Sequence, residues 1–263
     1  MKGSPVYRKV AVDLFFKQGS WTMWFMGIML IVHLVQAVLF LTGNSDGTLD
    51  NFFTKIFLAG NIYMFIIGII AAVSLLPYFV QNGVTRKDFF TGGVFAAIGL
   101  AAVIPIAAFL LNALTEWIAA FLNIPVEAGG LPEITGDPDD PLIATVILAV
   151  INAPSVTAAV GPNLLVWPNL FLSIMNLFFY YMTGWLIGTG FYRFGGNTGF
   201  LFIVIALGVF LTNAGIWGRE IPAWLPVPDL SRFLAASVTG TLVLTIIILV
   251  IIRLVTKNMR IKI

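Results

Sequence analysis

Between Leu242 and Ile252 every residue except Thr245 is Leu, Ile or Val. Ten such side chains at a helix centre favour insertion into a bilayer by about 4 kcal/mol, at roughly 0.3–0.6 kcal/mol each. Five other long apolar runs accompany this one, so the sequence holds six, at 21–41, 56–80, 92–114, 170–190, 200–217 and 233–252. A hydrocarbon core about 30 Å thick takes roughly 20 apolar residues per helix. The first run exceeds the roughly 7–15-residue core of a cleaved signal peptide and lacks a small-residue cleavage site, so it reads as a span. Composition agrees: 59% of the 263 residues are hydrophobic and 10% are charged, against about 25% charged in a soluble domain. The expected fold is an all-α integral membrane protein with six transmembrane helices. It divides into a cytoplasmic interfacial helix (1–20), the membrane domain (21–255) and a basic cytoplasmic tail (256–263).

Charge sets the expected orientation. With six spans, both termini and two loops share a side that holds Lys2, Arg8, Lys9, Lys17, Arg86, Lys87, Arg193, Arg253, Lys257, Arg260 and Lys262. Only Lys55, Arg219 and Arg232 fall opposite, together with every acidic residue except Asp13 and Asp88. Lys and Arg mark the cytoplasmic face, which places both termini inside the cell. An acidic, Gly- and Pro-rich segment at 123–165 is then external. Its apolar stretch 142–162 is interrupted by Asn152 and Pro154, too short to span and better suited to an amphipathic or re-entrant piece. All tryptophans but Trp185 fall near expected span ends, where amphipathic rings favour the headgroup level.

Several chemistries are excluded. The chain has no cysteine, hence no disulfide, thiol nucleophile or thiolate metal site. It has one histidine, no H-E-x-x-H, no G-x-S-x-G and no G-x-x-x-x-G-K-[ST], so a zinc hydrolase, a serine hydrolase and a P-loop ATPase are all absent. A net charge of +2 does not point to nucleic acid. No Asp, Glu, Lys or Arg lies near a span centre, and an ionisable group at depth is the usual mark of an ion-coupled carrier. Three polar side chains do fall inside the spans: His33, Asn61 and Asn176. Each reads either as a hydrogen-bonding partner between helices or as a polar group lining a translocation cavity. Gly184 and Gly188, and the series Gly93, Ala97 and Ala101, let helices approach closely. Pro105 is expected to bend the third span.

Two short segments carry more. Over 6–18, Lys9, Asp13 and Lys17 form one helical stripe, with Tyr7, Val10, Ala11, Leu14 and Phe15 opposite; a helix of this kind lies in the membrane surface. The second is the connection Gly83, Val84, Thr85, Arg86, Lys87, Asp88, Phe89 and Phe90. Asn82-Gly83 signals a turn. Thr85 is placed to cap a helix starting at Arg86, with Asp88 completing a box-like N-terminus.

This connection resembles the loop after the second helix of small bacterial ABC type-2 permeases: Gly, a small apolar residue, Ser or Thr, one or two basic residues, then hydrophobics. The plan of the chain is similar too, with a basic interfacial N-terminal helix, six spans and both termini inside. The resemblance implies that the loop docks on a separate cytosolic ATP-binding-cassette subunit, which binds ATP and Mg, and that two permease chains pair around a central path. It implies no cofactor in this chain, no enzymatic activity of its own and residence in the bacterial cytoplasmic membrane. The chain departs from the family in placing its largest external segment between the third and fourth spans. The expected function is the permease subunit of an exporter of an amphipathic peptide or lipid-like cargo. An ion-coupled carrier or channel, and a non-transporting assembly or sensor subunit, are the alternatives.

Overall fold

The computed structural model describes residues 5–43, 51–122, 166–218, 227–228, 230, 233–257 and 259. The expected external segment 123–165, Trp224 and most of the basic tail lie outside the described residues. The described residues are all-helical, with no strand among them. The helices are α1 (Val6–Leu41), α2 (Phe52–Ile70), α3 (Leu76–Gln81), α4 (Arg86–Phe121), α5 (Val166–Ile216) and α6 (Leu234–Lys257). A π-helical turn, Ala71–Leu75, joins α2 to α3. Among the described residues five helical stretches are long and apolar enough to cross a membrane, with Phe52–Gln81 counting as one.

Helix ends follow local chemistry. Asn51 caps α2, its side-chain oxygen accepting from the amides of Phe53 and Thr54, two of the donors a helix start leaves orphaned. The π turn has its cause in Pro77. Proline offers no N–H and its ring crowds the carbonyl four residues earlier, so the turn ahead of it widens rather than closing normally. Pro105 has a milder outcome, since α4 continues as helix on both sides of it.

At the start of the chain the segment 6–18 and the first apolar run form one helix, since α1 runs unbroken for 36 residues, about 54 Å at roughly 1.5 Å per residue. Part of its apolar side packs on protein. Val10 and Leu14 are buried, and the Tyr7 carbonyl and Val10 side chain lie against Gly92 of α4. A side chain at position 92 would collide with both, so glycine there is what lets α1 dock. Lys17 reaches past this seam and sits 4.4 Å from the centre of the Tyr78 ring.

The helices alternate in direction. α1 and α4 run parallel, pairing Tyr7 with Phe95 near one end and Ala37 and Phe40 with Ala119 near the other. α2 runs against α1, with Phe25 stacked 4.4 Å from Tyr63 and His33 5.1 Å from Phe52. α5 is broken at Gly195, where φ is 79°. The Tyr180 and Phe210 rings are 5.0 Å apart, whereas thirty residues of unbroken helix would separate them by about 45 Å. The second arm of α5 therefore folds back along the first. Its far end meets α6, where the Trp217 indole donates to Thr241 and Thr241 donates to Asn213. Trp217 is thus buried against α6, while Trp24 and Trp117 are exposed.

The core lies between α2 and the first arm of α5. A Cβ on Gly184 would come within 2.0 Å of the Phe65 carbonyl oxygen, and one on Gly68 within 2.1 Å of that of Tyr181. The G-x-x-x-G pair is therefore spent inside the chain, with Gly188 against Ile69 one turn on. Trp185, fully buried, fills the space left by Gly93 of α4.

Candidate functional site

The connection 83–90 lies at the end of the bundle where α3 stops and α4 starts. Gly83, at φ 85°, closes α3: its amide donates to the Val80 carbonyl at 3.1 Å, and the Val84 amide reaches back to Phe79, also at 3.1 Å. This paired pattern needs a left-handed residue, which explains the glycine. Thr85 then caps α4, its hydroxyl oxygen accepting from the Asp88 amide at 3.1 Å. The Asp88 carboxylate does not turn back to the Thr85 amide as a full capping box would. It accepts the Thr85 hydroxyl at 2.6 Å instead. A carboxylate in the first turn complements the helix dipole.

The two phenylalanines after the cap part company. Phe89 is fully buried, its ring 5.8 Å from Phe79 and 6.0 Å edge-on to Trp185. Phe90 lies 5.8 Å from the same Trp185 and carries the Arg253 guanidinium 5.6 Å from its ring centre. The turn is therefore joined by aromatic packing to the first arm of α5 as well as by the chain to α3 and α4.

Basic residues from distant parts of the sequence meet here. Arg193, beside the break in α5, donates to the carbonyls of Val255 at 2.5 Å and Leu254 at 3.5 Å. Arg86 donates to the carbonyl of Lys257 at 3.5 Å. These are terminal carbonyls of α6, which lack helical partners and carry the negative end of the helix dipole. In the sequence Arg193 reads only as a marker of orientation and Arg86 as part of the connection 83–90; here both also hold the end of α6. Between the loop and α6 lies an open cleft of about 380 Å3 lined by Val80, Val84, Thr85, Arg86, Lys87, Arg253 and Lys257.

The polar residues inside the spans do not converge on one site. Asn176 donates to Asn61 at 2.8 Å, joining α5 to α2. His33 is buried against Phe52, nine residues and about 14 Å along α2 from Asn61. Lys9 and Asp13 are exposed on α1.

A second polar cluster went unread in the sequence. Gln18 is fully buried and shares a hydrogen bond with the Tyr181 hydroxyl at 3.0 Å. One turn along, Thr22 donates to the Gln18 carbonyl and meets the Tyr63 hydroxyl at 2.9 Å. Helices α1, α2 and α5 are thereby tied together at one level. The signal was present: Val10, Leu14, Gln18, Thr22 and Met26 recur every four residues along one face of α1, so Gln18 continues an apolar stripe. At the opposite end of the bundle, Asn51 and Asn112 both donate to Glu116 at 2.9 Å, and Lys55 donates to Gln36.

No family profile, curated protein or solved structure matches the chain.

Proposed function

We propose that this chain is the membrane-embedded permease subunit of an ABC exporter, driven by a separate cytosolic ATPase that binds ATP and Mg. The observation that carries the reading is the turn at 83–90. It is capped at both sides, bears Arg86 and Lys87, and is wedged by Phe89 against Trp185. A push on such a turn reaches α3 and α4 through the backbone and α5 through the aromatic contact.

In this reading the membrane is crossed six times, the two arms of α5 counting separately because they fold back at Gly195. Both termini face the cytosol of a bacterial cell, together with Arg86, Lys87, Arg193, Arg253 and Lys257. That orientation is supported by the alternating helix directions and by the positive-inside rule. Closure of the ATPase on nucleotide shifts the turn and tilts the attached helices, and a cavity shared with a second permease chain changes its access from one side to the other. The low charge and abundance of phenylalanine suit an amphipathic cargo, a peptide or a lipid-like molecule.

The test is the double charge reversal Arg86→Glu/Lys87→Glu in the complex with its ATPase. The expected outcome is loss of cargo-stimulated ATP hydrolysis with normal membrane insertion. Unchanged stimulation would remove the coupling role from this turn. Transport by the purified chain alone, driven by an ion gradient and sensitive to His33→Ala, would favour a secondary carrier instead.

A further inference from the structure

We infer that the cleft between the turn at 83–90 and the end of α6 binds the phosphate of an anionic phospholipid. Among the described residues, four of the seven that line it are cationic, Arg86, Lys87, Arg253 and Lys257, and none carries a carboxylate. The nearby Asp88 is not a lining residue, and its carboxylate is engaged by the Thr85 hydroxyl. Gathering four positive charges around about 380 Å3 costs free energy unless an anion enters. The Nε of Arg86 and one terminal nitrogen of Arg253 are buried atoms without a hydrogen-bond partner, so the protein leaves a donor of each guanidinium unmatched, which is costly. Guanidinium groups pair with phosphate through parallel hydrogen bonds.

The position of the cleft selects a lipid over a soluble anion. It lies at the rim of the apolar helices, where α3 ends at Gln81 and α6 at Lys257. Leu254, next to the lining residue Arg253 in α6, is exposed, as expected of a residue facing acyl chains. Val80 and Val84 supply an apolar wall beside the charges. Basic pockets between membrane helices on the cytoplasmic side take anionic headgroups. A phosphate there would bridge the turn at 83–90 to α6 and hold the turn at a fixed height. The inference shares the orientation given above but needs no ATPase.

Native mass spectrometry of the purified chain in mild detergent reads the site directly. The probes are phosphatidylglycerol, phosphatidylcholine and inorganic phosphate. Wild-type protein is expected to retain phosphatidylglycerol at least about tenfold better than phosphatidylcholine, and Arg253→Gln/Lys257→Gln to lower that retention about tenfold. Arg8→Gln/Lys9→Gln, which removes two exposed charges at the same end but outside the cleft, is expected to leave it unchanged. Equal loss in both double variants would reduce the effect to general surface charge and overturn the site. So would full retention in Arg253→Gln/Lys257→Gln. Displacement of the lipid by millimolar inorganic phosphate would reassign the cleft to a free anion. If the double variant elutes as aggregate, the exposed Lys257→Gln alone is read, with a partial loss expected and no loss contradicting the proposal.

Discussion

Gly184 and Gly208 occupy similar places in the sequence, each inside an apolar stretch of α5, but their surroundings differ. An added Cβ at Gly184 would meet the backbone oxygen of Phe65 at 2.0 Å, while nothing lies within 4 Å of one at Gly208. Backbone cannot swing aside as a side-chain tip can, so Gly184→Ala should force α2 and α5 apart. Overpacking of this kind costs about 1–3 kcal/mol. Gly184→Ala is expected to lower the melting temperature in detergent clearly, and Gly208→Ala to leave it nearly unchanged. Equal effects would mean that the α2–α5 contact is not the close seam described. The Asn61–Asn176 bond crosses the same seam. Intramembrane hydrogen bonds average only about 0.6 kcal/mol, so a double-mutant cycle with Asn61→Ala and Asn176→Ala should give a coupling of that order. The glycines, rather than the amides, then dominate the contact.

At the scale of the helix, the cap at Thr85 is the element on which the turn's shape depends. Removing an N-cap side chain costs about 1 kcal/mol, and here it also frees Asp88 from its hydroxyl partner. Thr85→Ala should fray the first turn of α4, seen as faster amide hydrogen exchange from Arg86 to Phe90, whereas Thr85→Ser should behave as wild type. Unchanged exchange in Thr85→Ala would show that the aromatic wedge alone fixes the turn. This cap was legible from Thr85, Arg86 and Asp88 because capping is a local matter of three or four residues. The start of α1 was less so. The stripe Lys9, Asp13 and Lys17 says that 6–18 is a helix with one polar side, but not whether lipid or protein covers the other. That answer came from Gly92, eighty residues away, whose missing side chain makes room for Val10. The π turn had its cause in Pro77, inside a run otherwise read as one plain span. Phe89 and Trp185 were individually visible in the sequence, but their contact depends on how α4 and α5 pack and is not written in either segment.

For the whole molecule, the long apolar helices were readable because apolar length is a property of each run alone. Their mutual directions come from contacts between runs, such as Tyr7 with Phe95 and Tyr180 with Phe210. If the basic end faces the cytosol, single cysteines introduced at its exposed residues should be shielded in intact cells. The native chain has no cysteine, so labelling is clean. Thr85→Cys should react with an impermeant maleimide only after the membrane is opened, and Thr42→Cys, exposed at the other end, should react in intact cells. The reverse pattern would invert the molecule and move the turn at 83–90 away from any cytosolic ATPase. The most direct measurement of the coupling claim uses the same background. Lys87→Cys is crosslinked in native membranes with a short bifunctional reagent, and the captured protein is identified by mass spectrometry. The expected result is a nucleotide-hydrolysing cassette subunit joined at Lys87→Cys and absent from Thr42→Cys; capture of no nucleotide hydrolase at Lys87→Cys, with uphill transport by the isolated chain, would contradict it.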